Sequence, residues 1–191
     1  MALTFANKVT IGRILVVPFF IATVLYYSGE RDYLRLMALG VFLFAVVTDV
    51  IDGYIARTHQ QKTKAGAILD PLADKLLLIS AFICLTIKGE VFSSVLFPLW
   101  LVVSVISRDV ILLLGAMIIH LVQGDVTISP TKWGKAATFF QIICIFAVLL
   151  QWKVSVVLWY TTAGLTVISG LGYIRNGIKT LNDSTAQHRS R

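Results

Sequence analysis

Six long apolar runs divide the chain, separated by short polar stretches. They are residues 14–27 (ILVVPFFIATVLYY), 34–51 (LRLMALGVFLFAVVTDVI), 76–87 (LLLISAFICLTI), 95–122, 136–152 and 154–174. With modest polar flanks, each run reaches the ~20 residues that a helix needs to cross a bilayer. The pattern predicts an all-α integral membrane bundle of six transmembrane helices. A soluble helical bundle would need a charged outer face on every helix, and these runs carry none. The links "SGERDY" and "KGE" are short, which favours antiparallel neighbours. Ahead of the first run, "ANKVTIGR" (6–13) is amphiphilic, suited to a short interfacial helix or to the first turns of the span. Pro18 falls inside the first predicted helix and Pro98 near the start of the fourth. No internal repeat or low-complexity linker breaks the chain. It divides into one membrane domain, 1–181, and a polar tail, 182–191.

Composition strengthens the membrane reading. Of 191 residues, 57% are hydrophobic and 14% charged, against roughly 45–50% apolar residues in an ordinary soluble domain. The first run is followed by "YYSGERDY" rather than a small-residue cleavage site, so the first helix is expected to be retained. Cys84 and Cys144 lie in separate apolar runs and read as packed thiols. The net charge is +7, and its distribution is uneven. Lys8 and Arg13, then Arg57, Lys62 and Lys64, then Lys132 and Lys135, then Arg175, Lys179, Arg189 and Arg191 occupy one set of ends and loops. The opposite set holds Arg31, Arg35, Lys88 and Lys153. This asymmetry predicts cytoplasmic N- and C-termini, with loops 2–3 and 4–5 on the same side. Basic flanks suit an anionic leaflet. No basic, aromatic-interleaved stripe on a soluble face points to nucleic acid.

Against this background, "DVIDGYIARTHQQKTKAGAILDPLADK" (49–75) is anomalous. Asp49 and Asp52 are three apart near the end of the second run, and Asp70 and Asp74 are four apart at the start of the third. Either spacing puts a pair on one helical face, about a turn apart. The intervening segment brings the two helix ends together, so four carboxylates can converge just inside the membrane. Unpaired, they would repel and pay desolvation, and so would protonate or bind cations. Two divalent ions would neutralise them, and an oxygen-only donor set favours Mg²⁺ or Mn²⁺ over zinc. Two-metal sites commonly serve phosphoryl chemistry. A single such aspartate would suit a helix cap or an interhelical hydrogen bond; four at helical spacing point to function. Gly53, Ala56 and Gly66 let a ring or phosphate approach the backbone, although small residues also serve helix packing. Arg57 offers a cation to a phosphate oxygen. Thr63 offers a hydroxyl to a phosphate or to loop water.

Asp49, Asp52, Gly53, Ala56, Arg57, Gly66, Asp70 and Asp74 match every fixed position of the eight-residue motif of the CDP-alcohol phosphotransferases, and the chain resembles that family over nearly its whole length. The resemblance implies a six-helix membrane enzyme, often a homodimer, that displaces CMP from a CDP-linked substrate with an acceptor hydroxyl. It implies that Asp49, Asp52, Asp70 and Asp74 hold two divalent cations, Mg²⁺ or Mn²⁺, and that Asp74 is also the base that deprotonates the acceptor. Gly53, Ala56, Arg57, Thr63 and Gly66 would line the CDP-lipid site. "NKVTIGR" is similar to the family's N-terminal segment, so Asn7, Thr10 and Arg13 would close over the nucleotide and diphosphate. A bilayer setting favours CDP-diacylglycerol as donor, at a site facing the cytoplasm of a bacterial inner or plasma membrane.

The acceptor must be read elsewhere. "SRD" (107–109) sits within the fourth run, where Arg108 needs a purpose or a partner. It forms an ion pair that holds helices, or it binds an acceptor phosphate that Asp109 orients. Lys132 and Lys135 in "SPTKWGK" (129–135) are an inside-positive flank or part of the same anion site, and Arg175 is a further candidate. An anion site fits glycerol 3-phosphate better than choline or serine. In this respect the chain resembles the bacterial phosphatidylglycerophosphate synthases of the family. It departs from many of them in lacking a further arginine in residues 110–120, and "SRDV" before an apolar run also looks like the CMP-forming cardiolipin synthases, whose acceptor is phosphatidylglycerol. A cation transporter built on the four aspartates would carry acids in several spans, reaching both sides; the first, fifth and sixth runs have none. A non-catalytic scaffold would have no use for the intact constellation.

Overall fold

The computed structural model describes residues 5–58, 64–89, 91–92, 97–123, 132–152 and 155–189. Among them the chain is all helical: α1 (Phe5–Leu25), α2 (Asp32–Thr58), α3 (Lys64–Ile87), α4 (Leu99–Gln123), α5 (Lys132–Leu149) and α6 (Ser155–Arg189). The amphiphilic segment before the first run is continuous with α1, and α6 continues through the polar tail to Arg189. Pro18 is accommodated inside α1. Pro98 immediately precedes α4, where its missing N–H costs no helical bond and its carbonyl accepts from Leu101 N at 2.9 Å. The α5–α6 turn is closed by Trp152 N–H on the Ala147 carbonyl (2.8 Å) and Gln151 N–H on the Val148 carbonyl (2.9 Å). Gln151 takes the left-handed conformation (φ 56°) that glycine usually fills at this cap.

Apolar side chains on the inner faces pack one core. Phe20, Phe42, Phe82, Phe92, Leu85, Leu101 and Ile145 are its largest fully buried members. Rings meet at Phe20–Phe42 (5.7 Å), Phe42–Phe146 (5.3 Å, edge-on) and Phe82–Phe97 (4.8 Å), geometries that aromatic quadrupoles favour. α1 packs on α2 and α3, α5 on α2, α3 and α6, and α4 on α3 and α6. At the α4–α6 contact Gly115 lies against Tyr173, and a Cβ there would sit 2.9 Å from the ring. The Tyr173 hydroxyl donates to the Leu112 carbonyl at 3.4 Å.

The outer surface is apolar. Leu15, Phe44, Val50, Leu99, Val157 and Leu171 are all exposed, a surface that water would penalise and lipid would not. Among the described residues three helical stretches are long and apolar enough to cross a membrane: Asp32–Ile51, Lys132–Leu149 and Val156–Tyr173. Ile14–Leu25 and Lys75–Ile87 are shorter. A shallow groove of about 460 Å³ runs between α1 and α2, lined by Leu15, Val16, Phe19, Gly40, Val41 and Phe44.

Candidate active site

The inward face of α2 is set by Ala38, Phe42 and Ala45, all buried. Continuing that rhythm of four and three residues gives Asp49, Asp52 and Ala56. On α3, Leu77, Leu78 and Ala81 are buried, and stepping back by three or four residues gives Asp74 and then Asp70. Asp49 follows Ala45 by four residues on the stripe that α2 turns to the core. α1 and α5 each pack on both α2 and α3, so the two stripes border one interior. Asp49 is half-buried. The side chains of Asp52, Gly53, Ala56, Arg57, Gly66, Asp70 and Asp74, and those of Asn7, Thr10 and Arg13 on α1, lie outside the described part of the structure, as does Thr63 entirely. The donor set itself fits divalent cations: four carboxylates supply hard oxygen ligands at helical spacing.

The acceptor candidates separate into two groups. Arg108 on α4 is buried, 6% exposed. Its NH1 donates to Asp109 Oδ1 at 2.6 Å and its NH2 to Ser169 Oγ on α6 at 2.5 Å, while Nε has no partner. Asp109 is fully buried and accepts a second charge-assisted bond from Lys75 Nζ on α3 at 2.9 Å. Two cations thus converge on one buried carboxylate. The network ties α3, α4 and α6 together, and Lys75 directly follows Asp74. Lys132 and Lys135 are instead exposed in the first turn of α5, and Arg175 is exposed on α6 beyond Tyr173. At a helix N-terminus the two lysines add to the positive end of the macrodipole.

Three side chains of this region escaped the sequence reading. Lys75 was hidden by its neighbour Asp74, and Ser169 by the ordinariness of serine in a membrane helix. Gln141 on α5 is fully buried, and neither its amide nitrogen nor its amide oxygen has a partner. A lone amide in the middle of an apolar run was the available signal.

Comparison with known proteins gives the family. A family model described as CDP-alcohol phosphatidyltransferase matches residues 3–168. A probable phosphatidylglycerophosphate synthase of Mycobacterium tuberculosis (strain ATCC 25618 / H37Rv) is 31% identical over 182 residues, covering 92% of this chain and 82% of that protein. The CDP-diacylglycerol–glycerol-3-phosphate 3-phosphatidyltransferase of Bacillus subtilis (strain 168) is 34% identical over 154 residues, 76% of each chain. A CMP-forming cardiolipin synthase of Rattus norvegicus is 31% identical over 201 residues, covering 93% of this chain and 63% of its own length.

Proposed function

Since the chain belongs to the CDP-alcohol phosphatidyltransferases, a family of membrane lipid-synthesising enzymes, we propose that it moves the phosphatidyl group of CDP-diacylglycerol to glycerol 3-phosphate. The products are phosphatidylglycerophosphate and CMP. The observation that carries the acceptor is a buried arginine, Arg108, whose Nε has no hydrogen-bond partner. The names of the relatives that align over most of both chains point the same way.

Asp49, Asp52, Asp70 and Asp74 would hold two Mg²⁺ or Mn²⁺ ions, which supply charge neutralisation at the diphosphate when bound. Asn7, Thr10, Arg13, Gly53, Ala56, Arg57, Thr63 and Gly66 would form the CDP-lipid site. There Arg57 and Arg13 hold phosphate oxygens, and the small residues admit the nucleotide. The α1–α2 groove begins two residues beyond Arg13 and ends five residues before Asp49. It gives an acyl chain of the donor a path into the bilayer. The Asp74 carboxylate takes the proton of the acceptor hydroxyl. The acceptor oxygen forms a bond to the phosphorus that carries diacylglycerol. The bond from that phosphorus to the CMP oxygen breaks, CMP leaves with the electron pair, and a phosphodiester remains. Arg108, Lys132, Lys135 and Arg175 would hold the acceptor phosphate.

All six helices cross the membrane in this reading, with both termini and the active site on the cytoplasmic side of a bacterial inner or plasma membrane. Residues 1–181 act as one domain with 182–191 as an appendage, and two chains pair as a homodimer. The uneven charge distribution supports the orientation. Phosphatidylglycerol is the second acceptor to test, because residues 110–120 lack an arginine and the rat cardiolipin synthase aligns with 93% of the chain. Purified protein with CDP-diacylglycerol and Mg²⁺ should release CMP with glycerol 3-phosphate. Phosphatidylglycerol, inositol phosphate and serine are offered in parallel. Release with phosphatidylglycerol alone would reassign the protein as a cardiolipin synthase, and no release with any acceptor would remove the enzyme reading.

A further inference from the structure

Gln141 has no structural occupation. It is 0% exposed, at the middle of the buried α5 stripe Ala137, Gln141, Cys144 and Val148, and neither end of its amide is bonded. A leucine or methionine would fill the same space without stranding a donor and an acceptor. The neighbouring hydroxyls on α6 do not serve it: Thr162 donates to the Phe140 carbonyl at 3.4 Å, Thr166 to the Thr162 carbonyl at 2.7 Å, and Ser169 accepts from Arg108.

Its place relative to the Arg108 network follows from the helix pairing. α5 and α6 are joined by a tight turn and pack along their lengths, hence antiparallel. Thr162 lies against Phe140, so moving up α6 from Thr162 to Ser169, a rise of about 10 Å, means moving down α5 from Gln141 toward Lys135. Helical side chains lean toward their own N-terminus, which tilts the Gln141 amide toward the level of Ser169 and Arg108. Along α6, the residue beside Phe140 and the residue that holds Arg108 are thus about two helical turns apart. Arg108 Nε and the Gln141 amide both keep unmet hydrogen-bonding capacity.

We infer that Gln141 recognises the acceptor's second hydroxyl, the one adjacent to the hydroxyl that attacks phosphorus, with its amide oxygen accepting and its amide nitrogen donating. A carboxamide offers both functions at once, as a hydroxyl requires. The acceptor phosphate engages Arg108, whose Nε is unpaired, and the glycerol end reaches the amide. The inference rests on the proposed transfer to a glycerol-bearing acceptor. It applies to glycerol 3-phosphate and to phosphatidylglycerol alike, because both present two adjacent free hydroxyls.

The test compares acceptors with and without that hydroxyl. Full-length protein in nanodiscs with CDP-diacylglycerol and Mg²⁺ is given glycerol 3-phosphate or 3-hydroxypropyl phosphate, and CMP release is followed. The wild type is expected to favour glycerol 3-phosphate by at least ~10-fold in kcat/KM, as sites built to bond a hydroxyl reject analogues lacking it. Gln141→Leu should lose about that factor on glycerol 3-phosphate, remain within ~2-fold on the analogue, and melt no lower than wild type. Equal losses on both acceptors, or a wild type that does not discriminate, would overturn the inference while leaving the transferase reading intact. Gln141→Met keeps the side chain's length and repeats the comparison if the leucine variant does not fold. Should the wild type use only phosphatidylglycerol, the same pair is run with that lipid and its propanediol counterpart, with the same criteria. A wild type that releases CMP with no acceptor would overturn both readings.

Discussion

Among the described residues two arginines are drawn into the bundle, and they are finished differently. At one end Arg35 grips Asp32 with two nitrogens (2.7 and 2.8 Å) and gives the third to the Leu149 carbonyl at the end of α5 (3.0 Å). Tyr27 and Gln151 complete the cluster with longer contacts at 3.4 and 3.5 Å. Every guanidinium nitrogen is used, on groups that cap or join helices. Arg108, more deeply buried, is bound through NH1 and NH2 and leaves Nε over, and a second polar side chain, Gln141, is left over in the same part of the fold. A closed network accounts for itself by holding the fold. A network that keeps unmet hydrogen-bonding capacity in a nearly dry interior has use for a ligand.

The contrast can be broken most severely at the chemistry beside the open network. Asp74→Asn should lower kcat by about 10²–10⁴-fold, as loss of a general base does. CDP-lipid binding, followed by isothermal calorimetry, should survive largely intact. Full activity in that variant would remove Asp74 from the base role.

Next in size is the comparison of the two arginines themselves. Arg108→Leu leaves Asp109 buried with one cation fewer and should cost about 3–5 kcal/mol of stability. The same change at Arg35 should cost only ~1 kcal/mol, because Asp32 is half exposed to begin with. Thermal melts report both. Replacing Arg108 and Asp109 together by leucine should recover part of the lost stability and none of the acceptor affinity, whereas Arg35→Leu should leave the KM for acceptor unchanged. A double variant with normal acceptor KM would make the Arg108 network as structural as its counterpart.

Smaller effects sharpen the comparison at its edges. Lys132→Ala should raise the acceptor KM by about 3-fold and the donor KM less, as expected of an exposed cation; equal changes would indicate a general charge effect. Gly40 lines the groove and has open space where a Cβ would go, so Gly40→Leu extends a side chain into it. It should raise the KM for long-chain CDP-diacylglycerol by about 2-fold and spare a short-chain donor. An equal effect on both donors would dissociate the groove from the lipid tails.

The sequence made the helices and the carboxylate motif legible because both are local. Periodicity over 20 residues marks a helix, and Asp49, Asp52, Asp70 and Asp74 stand three and four apart within 26 residues of chain. What stayed hidden depends on helix rotation and depth. Arg108 and Asp109 are adjacent, and neighbours on a helix do not face each other, so their 2.6 Å pairing and its extension to Lys75 and Ser169 needed three helices in position. Gln141 was visible as a residue and invisible as a problem. Only packing reveals that its amide meets nothing.

The contact at Gly115 carries a consequence for timing. Tyr173 lies against it one helical turn beyond Ser169, so α4 and α6 are fastened at two successive levels, by a ring seated on a bare backbone and by a guanidinium on a hydroxyl. Two fastenings on adjacent turns remove the hinge that a single one would leave. The entropy of fixing that wall is therefore settled when the protein folds rather than at each encounter with substrate. An alanine at position 115 would push the ring aside and lift the upper fastening. Its signature would be slower association of the acceptor, with little change in the strength of any contact the acceptor finally makes.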